Sequence, residues 1–346
     1  MNTFSSYNET PYMPSYEDIV KKQFQADTRT NSLILDNCLQ TLHPYLTLKA
    51  NELIFNEPKR IFVDKGDNWE EIIDENLNYD FLESFLIELA TRRNQRFDEK
   101  HCHLSCELPP PYYRYRVQAQ HKTSLFDSEI AICIRIPSKE KFSLENFVLS
   151  AKCINKGWSY EKIKELIHNH QNVLISGGTG TGKTSFFNSL LMELDPSERV
   201  VSIEDSKELD LSHIKNKTQL AVPKDESEIY SYQGAINNAM RLRPDRLFLG
   251  EIDIRNTFAF LRVNNTGHAG NISTLHANDP KAAIKAIKAN IILGGGLQNP
   301  DNNMLVEQII TAIDTIIQIK RERGARVITD ILNLKEELTQ NQGYFL

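Results

Sequence analysis

The chain has 346 residues, 40% of them hydrophobic and 25% charged; these are ordinary globular values that exclude wholesale disorder and fibrous repeats, and the length allows about two domains at roughly 150 residues each. The formal net charge of −6 disfavours broad non-specific binding to nucleic acid. No run approaches the ~20 apolar residues of a membrane span, and the opening stretch MNTFSSYNETPYMPSYEDIVKKQ lacks a basic region followed by an apolar core, so a cytoplasmic protein is expected.

Residues 1–30 are polar and carry little periodicity, the pattern of a loosely held extension. Residues 31–138 read as a small α+β domain. A helix is expected over Leu33–Leu42, strands at Glu52–Phe55 and Arg60–Val63, and a helix over Tyr79–Arg93 that puts Phe81, Leu82, Phe85, Leu86 and Leu89 on one face. Further strands are expected at Cys102–Glu107, Tyr113–Gln118 and Ile130–Ile136, interrupted by Pro109, Pro110 and Pro111, which cannot continue a ladder. Five cysteines without a secretory signal point to reduced thiols. The stretch His101-Cys102-His103-Leu104-Ser105-Cys106 reads better as a half-buried strand than as a metal cluster, because no second ligand pair follows it at a set distance.

The charged stretch Pro137–Lys141 suits a linker into a second domain, residues 139–346. There, helices are expected at Ser143–Ser150 and Ser159–Asn169, followed by a buried strand, Asn172–Ser176. That strand runs into Gly177-Gly178-Thr179-Gly180-Thr181-Gly182-Lys183-Thr184, which fits GxxxxGK(S/T), and a helix over Lys183–Leu194 follows. Glycines let the backbone turn its N–H groups around phosphate oxygens. Lys183 supplies a mobile ammonium, the Thr184 hydroxyl suits Mg²⁺, and strand, loop and helix N-terminus place an anion at the positive end of a dipole.

Strands alternate with helices from here on, which predicts a mostly parallel, doubly wound α/β sheet. The strand Arg199–Ile203 ends in Glu204, Asp205 and Glu208, a carboxylate group at the edge where such sheets bind ligands. A second strand, Asp245–Leu249, runs into Gly250 and Glu251, placing a carboxylate to orient or deprotonate an attacking water. His268 precedes and His276 ends a further short strand, expected on the same side as Glu251, where either could sense a γ-phosphate. Asp279 and Pro280 then open a helix whose Lys281, Lys285 and Lys288 oppose Ile284, Ile287 and Ile291.

The segments VSIEDSKEL, RLRPDRLFLGEI and TGHAGNISTLHAN, in this order behind GGTGTGKT, resemble the Asp box, Walker B and His box of the secretion ATPases. With the small N-terminal domain and the segment ICIRIPSK, the chain is similar to the VirB-type traffic ATPases of type IV secretion systems over about residues 31–335. The resemblance implies a RecA-like ATPase domain behind a smaller α+β domain, ATP and Mg²⁺ as cofactors, and a homohexamer with nucleotide held between the domains. It also implies a peripheral position at the cytoplasmic face of the inner membrane, with secretion-channel components as partners and exported protein or DNA met only indirectly. By motif it assigns Gly177 to Ser185 to the nucleotide, Glu204 and Glu208 to the Asp box, Glu251 to Walker B, and His268 and His276 to the His box. Arg135 matches the N-terminal-domain arginine that approaches the nucleotide, and Arg116 is a weaker match. One departure is Asp253, where the family usually has arginine, with Arg255 two positions later. Two alternatives stay open: a type II secretion or type IV pilus ATPase, and a nucleotide-gated scaffold with little turnover.

Overall fold

The computed structural model describes residues 31–66, 68–93, 95–112, 114–137, 142–222, 231–297, 300–322 and 324–336. The polar extension 1–30 and part of the expected linker lie outside them. The chain divides into two units, Met1–Ser138 and Lys139–Leu346.

In the first unit, Ser32 caps helix α1 (Leu33–Leu46) by accepting from the Leu35 N–H, and Leu35, Leu39, Leu42 and Leu46 form its buried stripe. The helix runs a turn further than the sequence pattern predicts, because Leu46 is buried and its carbonyl accepts from the Tyr115 hydroxyl at 2.8 Å. Strands β1 (Glu52–Glu57), β2 (Arg60–Asp64) and β3 (Trp69–Ile73), helix α2 (Tyr79–Arg92), and strands β4 (His103–Glu107), β5 (Arg116–His121) and β6 (Ile130–Arg135) complete it. The strands form one antiparallel sheet, β3-β2-β1-β6-β5-β4. Its inward residues, among them Leu53, Phe55, Ile61, Val117 and Ile132, share a core with α1 and α2. Strand β3 escapes sequence reading because this edge strand is exposed at Trp69, Glu70, Glu71 and Ile73 and so shows no buried alternation. Strand β5 begins at Arg116 and not at Tyr113, since Tyr112 and Tyr115 close a turn after the prolines; Tyr113 is outside the described residues.

The second unit opens differently from expectation. Where a helix is predicted over Ser143–Ser150, the chain makes a single 3₁₀ turn at Leu144–Asn146, a two-residue strand β7 (Val148–Leu149), and only then helix α3 (Ala151–Asn155). The Asn146 side chain accepts from the Ser143 N–H, closing a local turn, and Ser150 caps α3. Helix α4 (Tyr160–His168) leads to β8 (Val173–Gly177), the phosphate loop and α5 (Lys183–Leu191). Then come β9 (Val200–Glu204), β10 (Lys217–Ala221), α6 (Tyr232–Arg241), β11 (Arg246–Leu249) and α7 (Thr257–Asn264). Strand β12 (Ile272–Leu275), α8 (Pro280–Leu293), α9 (Asn302–Ala312), β13 (Thr315–Glu322) and β14 (Ala325–Asn333) follow.

The sheet order is β10-β9-β11-β12-β8-β13-β14-β7, parallel except for the antiparallel β13–β14 pair. All five residues of β8 are buried, which is why the strand reads as a mostly apolar run without alternation. Leu174 faces one core with Ile236, Phe260, Ile284 and Ile309 from α6, α7, α8 and α9. Val173 and Ile175 face the other, with Ile163, Phe186, Phe187 and Leu190 from α4 and α5. Helices thus cover both faces, as in a doubly wound sheet.

Candidate nucleotide site

Four parallel strands, β8, β9, β11 and β12, deliver their carboxyl ends to one edge of the second unit. From β8 the chain turns through Gly178–Gly182 into α5, with Gly180 and Gly182 at φ +72° and +96°, the left-handed region that glycine adopts without strain. A Cβ on Gly177 would stand 2.7 Å from the Ile319 carbonyl oxygen, whereas one on Gly180 would meet nothing within 4 Å, so the loop base is packed and its tip is open. Thr181 Oγ1 donates to the Gly178 carbonyl at 2.9 Å and holds the turn.

Lys183 is nearly buried and folds back over its own loop, with Nζ donating to the carbonyls of Gly177 and Gly178 at 3.0 Å each. The same Nζ lies 3.2 Å from Nδ1 of His276, and Nε2 of that ring lies 3.0 Å from Glu251 Oε1. Burial and the Lys183 charge lower the His276 pKa, which keeps the ring neutral near pH 7. A neutral ring between an ammonium and a carboxylate has one arrangement that satisfies both neighbours: Nδ1 accepts from Lys183 and Nε2–H donates to Glu251. Glu251 sits just past β11 and its pKa is raised by burial; Lys183 opposes that rise, and Asp205, Asp253 and Glu208 add to it. The Gln318 side chain donates to the Ala277 carbonyl at 3.1 Å, tying the loop after His276 to β13. A cavity of 360 Å³ lies beside this group, lined by Gly178, Thr179, His276, Ala277, Asn278, Ala282 and Ala286.

Thr184 Oγ1 donates to Glu208 Oε2 at 2.8 Å. Glu204, by contrast, is buried and holds backbone, its Oε1 accepting from the N–H groups of Glu208 and Leu209 at 2.8 and 2.9 Å. Asn188 on α5 clasps the same loop, donating to the Glu208 carbonyl and accepting from the Asp210 N–H. Sequence reasoning misses Asn188 and Gln318, since a lone amide on an amphipathic helix or strand carries no spacing signal.

The two histidines do not come together. His276 follows the carboxyl end of β12, but His268 lies before its first residue, at the opposite end of the strands, where Asn172 precedes β8. There the His268 carbonyl accepts from Asn271, whose own N–H donates to the Asn172 side chain. The expectation that both sit beside Glu251 is therefore corrected, because a parallel strand separates its two ends by its whole length, about 13 Å for four residues.

A family model for "Type II/IV secretion system protein" matches residues 118–339. The chain belongs to this family. VirB11, a type IV secretion system protein of Bartonella quintana (strain Toulouse), is 27% identical over 316 residues, covering 81% of this chain and 87% of that protein. The conjugal transfer protein TrbB of Rhizobium radiobacter is 28% identical over 209 residues, covering 59% of this chain and 60% of its own. Among solved structures, the Legionella pneumophila ATPase DotB superposes with a TM-score of 0.64 at 19% identity, covering 92% of this chain and 86% of that one. The pilus retraction motor PilT, solved with ADP, gives 0.64 at 19% identity, covering 88% and 86%. The fold is thus the RecA-like fold of the secretion ATPases.

The family departure at position 253 has a local account in this secretion ATPase. Asp253 Oδ2 accepts from Nε and Nη2 of Arg255 at 2.9 and 2.5 Å, and the Arg255 guanidinium lies 4.9 Å from the Tyr232 ring centroid. The arginine of this loop is therefore two residues further on and is paired with the aspartate. In the first unit, the β5–β6 register sets Arg116 directly opposite Arg135, with Glu107 beyond Arg116 and Glu52 beyond Arg135.

Proposed function

We propose that this secretion ATPase hydrolyses ATP with Mg²⁺ as a homohexamer peripheral to the inner membrane, and that the cycle powers export or pilus assembly by a type IV secretion system. The division of labour would be that of a small N-terminal domain, residues 31–138, and an ATPase domain, residues 139–346, with residues 1–30 an extension. No helix among the described residues is long and apolar enough to cross a membrane, so contact with the secretion channel would be made by the folded units. Exported protein or DNA would be met only indirectly. The relatives named for type IV secretion and conjugal transfer support this reading.

The observation that carries the proposal is the chain Lys183 to His276 to Glu251 at the mouth of the phosphate loop. The residues present fit a magnesium nucleotide: the open loop tip at Gly180, a lysine that satisfies itself on its own loop carbonyls, and a threonine hydroxyl beside a carboxylate. When bound, magnesium would supply positive charge to offset that of the phosphates. Thr184 would hold it, with the Glu208 carboxylate next to that hydroxyl. Lys183 turns from the Gly177 and Gly178 carbonyls to the phosphates and offers them its ammonium. Glu251 takes the proton of the attacking water, and its raised pKa suits a base that works near neutral pH. His276 steadies the Glu251 carboxylate through Nε2–H, while Glu204 positions Glu208 through the backbone. Arg116 and Arg135 contribute guanidinium forks to the nucleotide, a role the family resemblance assigns to them.

Phosphate release with Mg²⁺ and ATP, measured for the wild type and for Lys183→Ala, tests the reading. Turnover should disappear in Lys183→Ala while the variant still folds, as a cooperative unfolding transition would show. A folded Lys183→Ala variant with normal release would sink the site, and a wild type that binds nucleotide without release, even with phospholipid or channel components, would be a scaffold.

A further inference from the structure

The phosphate loop has two flanks, because β8 lies between β12 and β13 in the sheet. Glu251 and His276 occupy the β12 flank. If the γ-phosphate lies there, as the proposed function requires, the α-phosphate lies toward the other flank, that of β13 and β14.

On that flank stands Arg326, near the start of β14. Its side chain lies against the last glycine of the loop: a Cβ on Gly182 would stand 2.9 Å from Cδ and Nε of Arg326. The guanidinium is stacked 3.9 Å from the centroid of the Phe142 ring. Phe142 packs edge-on against Phe147 and Phe147 against Phe186 of α5, at centroid distances of 6.4 and 4.9 Å. The arginine is therefore braced, through three aromatic rings, on the helix whose N-terminus ends the phosphate loop. An arginine held on a ring face in this way keeps its fork of N–H donors, which suits two phosphate oxygens.

A helix N-terminus carries partial positive charge and favours anions, and Arg326 stands beside Gly182, the residue that precedes α5.

We infer that Arg326 binds the α-phosphate of the nucleotide, from the flank opposite Glu251. The inference rests on the proposed function, since it takes the position of the γ-phosphate from it. The contact is made in the ADP and ATP states alike, so Arg326 sets nucleotide affinity without reading the γ-phosphate.

Calorimetric titration with Mg-ADP and with a non-hydrolysable Mg-ATP analogue, on the wild type, Arg326→Ala and Arg326→Lys, tests this. In Arg326→Ala both affinities should fall by the same factor, about 10-fold or more, the scale of a lost charge-assisted contact. Arg326→Lys should fall between the two, as it keeps the charge and covers Phe142 but lacks the fork, and it serves should the alanine variant not fold. Adenosine, which has no phosphate, should compete equally with the wild type and either variant. Wild-type ADP affinity in the variants would overturn the inference, as would loss confined to the ATP analogue or an equal loss of adenosine binding. Failure of the wild type to bind either nucleotide would instead refute the proposed function.

Discussion

Glu204 belongs to the same acidic motif as Glu208, yet the structure gives it a backbone to hold and not a ligand, and that distinction can be measured. Its carboxylate is buried and accepts from the N–H groups of Glu208 and Leu209 at 2.8 and 2.9 Å. Glu204→Ala removes the acceptor from both. Leaving a buried donor unsatisfied costs about 1–3 kcal/mol, so the pair costs about 2–6 kcal/mol, with a further loss for the vacated volume. Glu204→Gln keeps an oxygen within reach but loses the charge that roughly doubles the strength of such bonds, a cost of about 1–2 kcal/mol. Once this loop loosens, Glu208 no longer meets Thr184 at a fixed distance, so turnover should fall in step with stability, and further in the alanine variant than in the glutamine one. Urea unfolding with slopes compared to the wild type gives the first quantity, and phosphate release at saturating ATP gives the second. The reasoning would be refuted by a glutamine variant of wild-type stability without turnover, which would make Glu204 a residue acting on the nucleotide itself.

Glu251→Gln should keep nucleotide affinity and slow hydrolysis by roughly 10²-fold or more, the usual scale for a lost general base. Because burial holds the Glu251 carboxyl above its ordinary pKa, the folded state binds this proton more tightly than the unfolded one, and native stability drops as pH rises through the folded value. Glu251→Gln should therefore melt above the wild type near pH 8, and the advantage should vanish below about pH 4.3, the unfolded carboxylate value; an advantage independent of pH would rule out this cause. Arg135→Ala should lower turnover at saturating ATP while shifting stability by no more than about 0.5 kcal/mol, as for other exposed positions; unchanged turnover would assign Arg135 to its sheet neighbours Arg116 and Glu52 alone. Gln318→Ala, which frees the Ala277 carbonyl, should cost about 1–3 kcal/mol in unfolding experiments and reduce turnover through His276; full turnover would show that this tether does not position the ring.

The sequence discloses most where the chemistry demands a fixed spacing. The phosphate loop is legible because glycine alone takes the positive φ of positions 180 and 182 without strain, and because a fully buried, mostly apolar strand precedes it. Glu251 is legible for a similar reason, being the first carboxylate past the buried strand β11. What escapes is whatever depends on which strands become neighbours. His268 and His276 are eight residues apart on one strand and its flanks, and only pairing with β8 tells which end faces Lys183. Glu204 and Glu208 look alike as acids in one loop, but burial separates a carboxylate that holds backbone from one that meets Thr184. The helix expected at Ser143–Ser150 fails because Val148 and Leu149 pair with β14, nearly 180 residues away, a partner no local window contains.

The arrangement also explains how one lysine can be held yet still be drawn to a ligand. Lys183 donates to two carbonyls of its own loop and to one neutral ring, all weak acceptors compared with an ionised phosphate. A carboxylate in place of His276 would pair with Lys183 directly, and the desolvated pair would resist separation. Interposing the imidazole links the ammonium and Glu251 through a chain of two hydrogen bonds, which a phosphate can break at its weaker end. Any ligand that draws Lys183 away leaves Nδ1 of His276 without this donor, while the backbone just after that ring stays tied by Gln318 to β13, on the far side of β8.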